Sequence, residues 1–325
     1  MNPFSLQFQL GLIQIKVEWE EGSALAEPIR HAYRYLPFYC RLSERRDPDL
    51  LIQVHCTETL PQRSTDAKLL FETPSGWSVY QEGDHTLVQE IETISDRRRE
   101  TSTSRIKWRA WTERDPKTVR FFVLPDGEGP RGNSFWYLTS LVHPFLQILL
   151  SALLPLSGGL FLHGLGIDYQ KKGILFLGGD GAGKSTLAGF WDHSKAGSVL
   201  NDDRLILQRV KGRWTLFGTP WHGDFQKVSP GQVPLERICF ISHAPQNRLE
   251  PLSPREAFEK LIGQLFLAFW KKESVDHALQ LCEELISFPT TSFGFIRDPS
   301  AVAFFLDSFN SVSSSRPVLP AVAPT

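Results

Sequence analysis

Alternating hydrophobic and polar residues run through the first third of the chain. Such alternation is typical of strands that bury one face. It predicts strands at residues 4–10, 12–17, 50–54, 77–80 and 120–124, and residues 27–35 fit one short helix. No catalytic grouping of side chains occurs in this part. Residues 1–130 are therefore expected to form a smaller, β-rich α+β domain that serves recognition or acts as a scaffold.

A different pattern follows a linker rich in Gly and Pro at residues 125–132. Residues 135–156 are apolar over about the length of a bilayer span, but Pro144 favours a buried helix broken or kinked near that residue. Further strands are predicted at 160–163, 173–177, 198–201, 205–210, 213–217 and 237–241, with helices beginning near residues 185, 254 and 299. This alternation predicts an α/β domain over residues 133–311. The Ser- and Pro-rich tail, 312–325, is expected to be disordered.

Composition argues against several classes of protein, namely nucleic-acid-binding, zinc-binding, disulfide-rich and secreted proteins. The 35 basic and 36 acidic side chains nearly balance, so no overall field attracts nucleic acid. The four cysteines are scattered without a C-x-x-C pair, which argues against a zinc site or a disulfide framework. The N-terminus lacks the pattern of a secretory signal. We expect a cytoplasmic protein that binds neither nucleic acid nor a membrane, and the sequence leaves homo-oligomerisation open.

The predicted strand 173–177 leads into the glycine-rich stretch GGDGAGKST, residues 178–186. It satisfies the phosphate-loop pattern G-x-x-x-x-G-K-[ST], in the strand–loop–helix context that this motif requires. Glycines let backbone N–H groups surround phosphate oxygens, Lys184 adds a charge on the β- and γ-phosphates, and the Ser185 hydroxyl can ligate Mg²⁺. The expected cofactors are therefore ATP and Mg²⁺. The predicted nucleotide-binding residues are Gly178, Gly179, Asp180, Gly181, Ala182, Gly183, Lys184, Ser185 and Thr186.

Two adjacent aspartates supply candidate chemistry. Asp202 and Asp203 end an apolar strand, 17 and 18 residues after Ser185, where a second carboxylate for Mg²⁺ is expected beside a phosphate loop. One carboxylate can hold the metal while the other accepts the proton of an attacking hydroxyl. The alternative is a solvated turn at the end of a strand.

The succession of His163-Gly164, the GxxGAGKST loop and Asp202-Asp203 resembles the catalytic domain of the HPr kinase/phosphorylase family. The nucleotide site of that family is itself similar to that of ATP-dependent phosphoenolpyruvate carboxykinase. The resemblance covers about residues 160–245 and implies a P-loop kinase domain with ATP-dependent serine kinase activity. It implies that Asp202 is the general base, that Asp203 lies on the metal side, and that His163 joins Lys184 near the phosphates as a catalytic residue.

One segment departs from the true HPr kinases. GTPWHG, residues 218–223, stands in place of their glycine-rich signature, and together with PLSPREAFEKL it resembles bacterial HPr-kinase-like proteins instead. Trp221 and His222 are candidate substrate contacts in a loop after a strand, although a tight turn with a buried Trp anchor explains them equally well. Arg204 is a third candidate, which could neutralise the transferring phosphoryl group or form a surface salt bridge.

These features favour an ATP·Mg-dependent phosphotransferase that acts on a hydroxyl, with Ser or Thr of a peptide or protein as the acceptor. Phosphoryl transfer needs mainly positioning and charge neutralisation, which these residues supply. Two alternatives stay open. One is a nucleotide-binding regulatory module without turnover, and the other is a small-molecule or phosphoenolpyruvate-carboxykinase-like kinase.

The phosphate loop gives a first test. Lys184→Ala should weaken ATP binding by about one to three kcal/mol, because it removes a charge-assisted contact to phosphate. Isothermal calorimetry on the purified protein measures this directly. An unchanged ATP affinity would contradict the nucleotide site itself.

Overall fold

The structure is a computed structural model of the chain, described here for residues 4–19, 38, 47–74, 76–96, 101–112, 117–124 and 140–313. The predicted helix at 27–35, the linker 125–132 and tail residues 314–325 lie outside these ranges. The chain divides into two compact units. One comprises Met1–Phe161 with Phe266–Leu281, and the other Leu162–Leu265 with Cys282–Thr325.

The first unit is built on an eight-stranded sheet in the order β1-β2-β3-β8-β7-β6-β5-β4. Its strands are β1 Phe4–Leu10, β2 Ile13–Trp19, β3 Leu50–Cys56, β4 Lys68–Glu72, β5 Trp77–Glu82, β6 His85–Asp96, β7 Thr101–Thr112 and β8 Thr118–Val123. All five strands predicted from alternation are present. The burial of β2 alternates strictly, as a sheet with one covered face requires. Strands β4, β6 and β7 were not predicted from alternation, and β6 and β7 pair with each other along their whole length.

A short helical region follows in the same unit. An irregular turn at Leu141–Phe145 contains Pro144, and helix α1 then runs from Leu146 to Leu153, with most of its side chains buried. The predicted break near Pro144 is therefore confirmed. Among the described residues, no helix combines the length and apolar character that crossing a bilayer requires. A cavity of about 430 Å³ in this unit is lined by residues of the eight-stranded sheet, by the helical region that includes α1 and by residues 270–273. None of the predicted site residues lines this cavity.

The second sheet carries the phosphate loop. Its strands are β9 Gly159–Tyr169, β10 Lys172–Leu177, β11 Ser198–Asn201, β12 Arg204–Val210, β13 Arg213–Phe217, β14 Gln232–His243, β15 Arg248–Pro251 and β16 Thr290–Phe295. The order is β10-β9-β12-β13-β14-β16-β15, with β11 on β9 and β10 also paired with β14. Its helices are α2 Lys184–Ser194, α3 Pro254–Ile262, α4 Lys272–Leu285, whose first part belongs to the first unit, and α5 Ser300–Ser313. The fold is thus mixed α/β and dominated by sheets, as the sequence indicated at the level of class.

Strand directions in this sheet decide where the site forms. Both β10 and β11 pair antiparallel with β9, so they run in the same direction. Leu177, the last residue of β10, pairs with Gly164, and Asn201, the last residue of β11, pairs with Gly166. The carboxyl ends of β10 and β11 and the first half of β9 therefore lie together.

Local signals set the helix starts. Ser253 caps α3 in a capping box with Glu256, and Pro254 occupies the first helical turn, as predicted. At the start of α5 the Asp298 carboxylate accepts a hydrogen bond from the backbone N–H of Ser300 at 2.9 Å. Both signals are short-range, which is why the sequence reveals them.

Aromatic side chains fill the core behind the phosphate loop. Trp191 on α2 is fully buried and lies 6.2 Å, between ring centroids, from Phe305 on α5 and 6.3 Å from Phe176 on β10. The two helices thus cover one face of the sheet through a shared aromatic cluster.

Replacing Trp191 tests this packing. Trp191→Ala should lower the free energy of unfolding by about 3–5 kcal/mol, the usual cost of removing a large buried aromatic side chain. Trp191→Phe should cost less, since the indole N–H has no hydrogen-bond partner among the described residues. Phe304→Ala, at a partly exposed ring on α5, is the control. Urea titration measures all three, and equal losses for Trp191→Ala and Phe304→Ala would contradict the packing argument.

Candidate functional site

The loop between β10 and α2 adopts a glycine-dependent conformation. Gly181 and Gly183 have φ angles of +75° and +98°, which residues with a Cβ rarely adopt. A Cβ on Gly183 would also lie 2.6 Å from the His243 ring. Gly181 is therefore required by backbone conformation and Gly183 by both conformation and space, and α2 begins directly after Gly183 at Lys184.

The side chain of Lys184 folds back over this loop. It is 7% exposed, and its Nζ donates hydrogen bonds to the carbonyl oxygens of Gly178 at 2.7 Å and Gly179 at 3.1 Å. Burial lowers the pKa of Lys184 below its usual range, although the carboxylates of Asp180, Asp203 and Asp202 offset part of this effect. The Lys184 ammonium group is thus held against the backbone of the loop, within the electrostatic influence of these three carboxylates.

The carboxylate of Asp202 is the most enclosed charged group of the site. It is 1% exposed. Its Oδ2 accepts hydrogen bonds from Ser185 Oγ at 2.6 Å and from the backbone N–H of Phe225 at 3.0 Å, and its Oδ1 accepts one from the N–H of Gly223 at 2.8 Å. All three of these donors to Asp202 are uncharged groups, namely one hydroxyl and two backbone N–H groups.

Asp203 lies among ionisable side chains. His163 Nε2 is 3.2 Å from Asp203 Oδ1, and the Arg204 guanidinium also contacts that oxygen. Burial raises the pKa of Asp203, but the hydrogen bond with His163 and the charge of Arg204 outweigh it, so the pKa lies below its usual range. Asp203 is therefore an ionised carboxylate at neutral pH. His163 also reaches toward Asp180, at 4.0 Å from Nδ1 to Oδ1.

The GTPWHG segment lies beside the aspartates. Trp221 is 5% exposed, so its ring offers little surface to a substrate, and the buried-anchor alternative describes it better. His222 is half-buried, and its Nδ1 donates to the carbonyl of Gly223 at 2.7 Å. A Cβ on Gly223 would lie 2.8 Å from Asp202 Oδ2. The segment thus closes over Asp202 and allows only glycine at position 223.

The structure brings most predicted residues to one place. The loop residues, Lys184, Ser185, His163, Asp202, Asp203 and Arg204 adjoin one another through the contacts above, while Gly179, Asp180 and Thr186 are exposed on the loop and on the first turn of α2. Sequence reasoning missed groups on five residues: the Asn201 amide, the backbone N–H groups of Gly223 and Phe225, and the side chains of His243 and Arg297. Only Asn201 carried a signal, its position directly before the aspartates.

His243 and Arg297 flank the loop at the ends of neighbouring strands. His243 ends β14 and packs on Phe295, and Arg297 Nε lies 3.2 Å from its Nε2. Burial and the charge of Arg297 lower the pKa of His243, against an opposing contact with the backbone of Gly181. A neutral ring is therefore favoured beneath the loop.

The oxygen donors of Ser185 and Asp202 suit a magnesium ion. Within the described ranges, no three His, Cys, Asp or Glu side chains are grouped closely enough to form a metal site alone. Mg²⁺ does not need such a group, because it is usually held by one or two carboxylates together with substrate phosphates and water. The hydroxyl and carboxylate, 2.6 Å apart, are hard ligands and fit this mode.

Comparisons with known proteins do not identify the family of this chain. No protein-family model matches the chain, and no curated protein matches it. Among solved structures, the HPr(Ser) kinase/phosphatase from Coxiella burnetii matches at 13% identity, covering 48% of this chain and 95% of that chain, with a TM-score of 0.28. A likeness at this TM-score supports no inference about the present chain. The family membership expected from the motifs therefore stays a prediction.

Gly223 offers a test of the closure over Asp202. Gly223→Ala should lower the free energy of unfolding by about 1–3 kcal/mol, because the added methyl group forces the carboxylate from its hydrogen bonds. Gly189→Ala is the matched control, since a Cβ there meets nothing within 4 Å and improves helix propensity on α2. Chemical denaturation of both variants measures the difference. Equal stability of the two variants would show that the segment does not enclose Asp202.

Proposed function

We propose that this chain is an ATP·Mg-dependent phosphotransferase that phosphorylates a hydroxyl, namely that of Ser or Thr in a peptide or protein. The observation that carries the proposal is the 2.6 Å contact between Ser185 Oγ of the phosphate loop and Asp202 Oδ2 at the end of β11. A phosphate loop alone indicates only nucleotide binding. A carboxylate held against its serine, with a second carboxylate beside it, supports phosphoryl transfer.

The contacts support a division of roles opposite to the one expected from the family resemblance. Asp202 bonds to the loop serine and to two backbone N–H groups, so its oxygens are suited to the metal side. Asp203 is partly accessible, with 20% of its side chain exposed, and is kept ionised by its neighbours. In this proposal Asp203 is the general base, oriented by His163 and Arg204.

The proposed step combines bound Mg·ATP and an acceptor hydroxyl with side chains of this site. Ser185 and Asp202 would hold Mg²⁺, which would neutralise charge on the β- and γ-phosphates. The acceptor oxygen would form a bond to the γ-phosphorus as the bond between that phosphorus and the β–γ bridging oxygen breaks, and ADP would leave with that oxygen. The hydroxyl proton passes to a carboxylate oxygen of Asp203. Lys184 and the loop N–H groups stabilise the phosphate oxygens.

A labelling experiment tests the reaction class. Wild-type protein incubated with γ-labelled ATP, Mg²⁺ and a cell lysate should transfer label to a peptide or protein, and Lys184→Ala should abolish that transfer. Acid hydrolysis of the product should release phosphoserine or phosphothreonine. Label on a small molecule would favour the small-molecule kinase, whereas ATP binding without any transfer would favour a nucleotide-binding module without turnover.

The aspartate roles are tested on the labelled acceptor. Asp203→Asn should lower kcat about 10²- to 10⁴-fold and leave Mg·ATP affinity nearly unchanged, as removal of a positioned base does. Asp202→Asn should instead raise the Mg²⁺ concentration required, because an amide is a poorer ligand for a hard cation. Reversed phenotypes would restore Asp202 as the base. Wild-type turnover in both variants would show that neither Asp202 nor Asp203 takes part in phosphoryl transfer.

A further inference from the structure

We propose that Asn201 is a positioning residue that couples the aspartate turn to the GTPWHG segment, so that both carboxylates are set by one buried amide. The catalytic consequence of this inference rests on the proposed function, whereas its geometry does not.

The amide of Asn201 uses its full hydrogen-bonding capacity. Its Oδ1 accepts from the backbone N–H groups of Asp203 at 2.7 Å and Arg204 at 2.9 Å. Its Nδ2 donates to the carbonyl oxygens of Thr219 at 2.9 Å and Trp221 at 2.6 Å. The side chain is 0% exposed, so water does not compete for these four bonds. One side chain thus joins two segments that are far apart along the chain.

The joined segments hold each other by further bonds. Thr219 Oγ1 donates to the carbonyl oxygen of Arg204 at 2.6 Å, which closes a ring of hydrogen bonds with Asn201. Beyond Trp221, the N–H groups of Gly223 and Phe225 donate to the Asp202 carboxylate. The backbone of the turn is therefore set by Asn201, and the Asp202 side chain is set by the segment that Asn201 anchors.

Only an amide can make these contacts. Two N–H donors and an accepting oxygen are needed at one side chain of this size. Aspartate has the same shape but lacks the donors, so its oxygen would face the Thr219 and Trp221 carbonyls and repel them. Leucine would leave two N–H groups and two carbonyls unsatisfied in the interior. Asn201→Asp is consequently the selective variant, since it keeps the acceptor for the turn and removes the donors for the segment.

Replacing Asn201 should affect turnover more than nucleotide binding, because Asn201 contacts the aspartate turn and not the phosphate loop. The phosphate-binding groups belong to residues 178–185, whose hydrogen bonds described above do not involve Asn201, so binding of the nucleotide phosphates should survive. Small displacements of catalytic groups, on the order of 1 Å, reduce rates about 10²-fold. Asn201→Asp should therefore lower ATP turnover by about that factor, with the affinity for ADP measured in EDTA unchanged. It should also speed amide hydrogen exchange across residues 218–225.

The experiment uses the full chain and three variants: Asn201→Asp, Thr219→Val and Gln208→Leu. Gln208 is a buried amide on β12 outside the site, and its removal controls for lost stability. ADP affinity comes from calorimetry in EDTA, turnover from Mg²⁺-dependent ATP hydrolysis with water as the acceptor, and segment mobility from hydrogen exchange. The inference holds if Asn201→Asp loses turnover and segment protection while Gln208→Leu keeps both.

Other results overturn it. Turnover of Asn201→Asp equal to that of Gln208→Leu, or unchanged exchange at residues 218–225, would show that Asn201 does not position the pair. If Asn201→Asp does not fold, Thr219→Val decides, because losing one bond of the ring should produce a smaller loss in the same direction, and wild-type turnover would refute the coupling. If the wild type hydrolyses no ATP, turnover is instead measured as label transfer to the lysate acceptor. If label passes neither to water nor to an acceptor, the proposed function fails, and hydrogen exchange alone decides whether Asn201 anchors the segment.

Discussion

The buried carboxylate of Asp202 is the constraint on which the rest of the site depends. A charge removed from water is tolerated only when hydrogen bonds and neighbouring charges compensate it. Here the donors come from Ser185 at the start of α2 and from the N–H groups of Gly223 and Phe225 after β13. A helix, a strand end and a connecting segment must therefore meet at one point, and glycine is required where the segment passes closest.

The sheet brings these parts together through strand direction. Because β10 and β11 both run antiparallel to β9, the phosphate loop and the aspartate pair emerge at the same end of the sheet. His163 lies on β9 at that same end, one residue before the Gly164 that pairs with Leu177. The close approach of these strands also explains Gly164, whose Cβ would meet the Leu177 side chain at 2.9 Å.

Two neighbouring aspartates become chemically different because their surroundings differ. Asp202 faces uncharged donors, whereas Asp203 faces His163 and Arg204, which hold its pKa below the usual range. Environments of this kind commonly separate the roles of paired carboxylates in active sites. The buried cation of Lys184 lies near both carboxylates and has a lowered pKa because burial outweighs their attraction. The site is thus a compensated set of charges rather than a patch of one sign.

The sequence by itself determined the local features: the strands of alternating residues, the capped helices, the phosphate loop and the position of the aspartates, because each depends on residues close together in the chain. The tertiary structure decided the rest. It paired β6 with β7, buried Trp221, and linked Asn201 to residues 219 and 221. It also gave Asp202 and Asp203 different partners. Hydrogen bonds between distant segments leave no periodic or spacing signal, so only the folded chain reveals which residues they join.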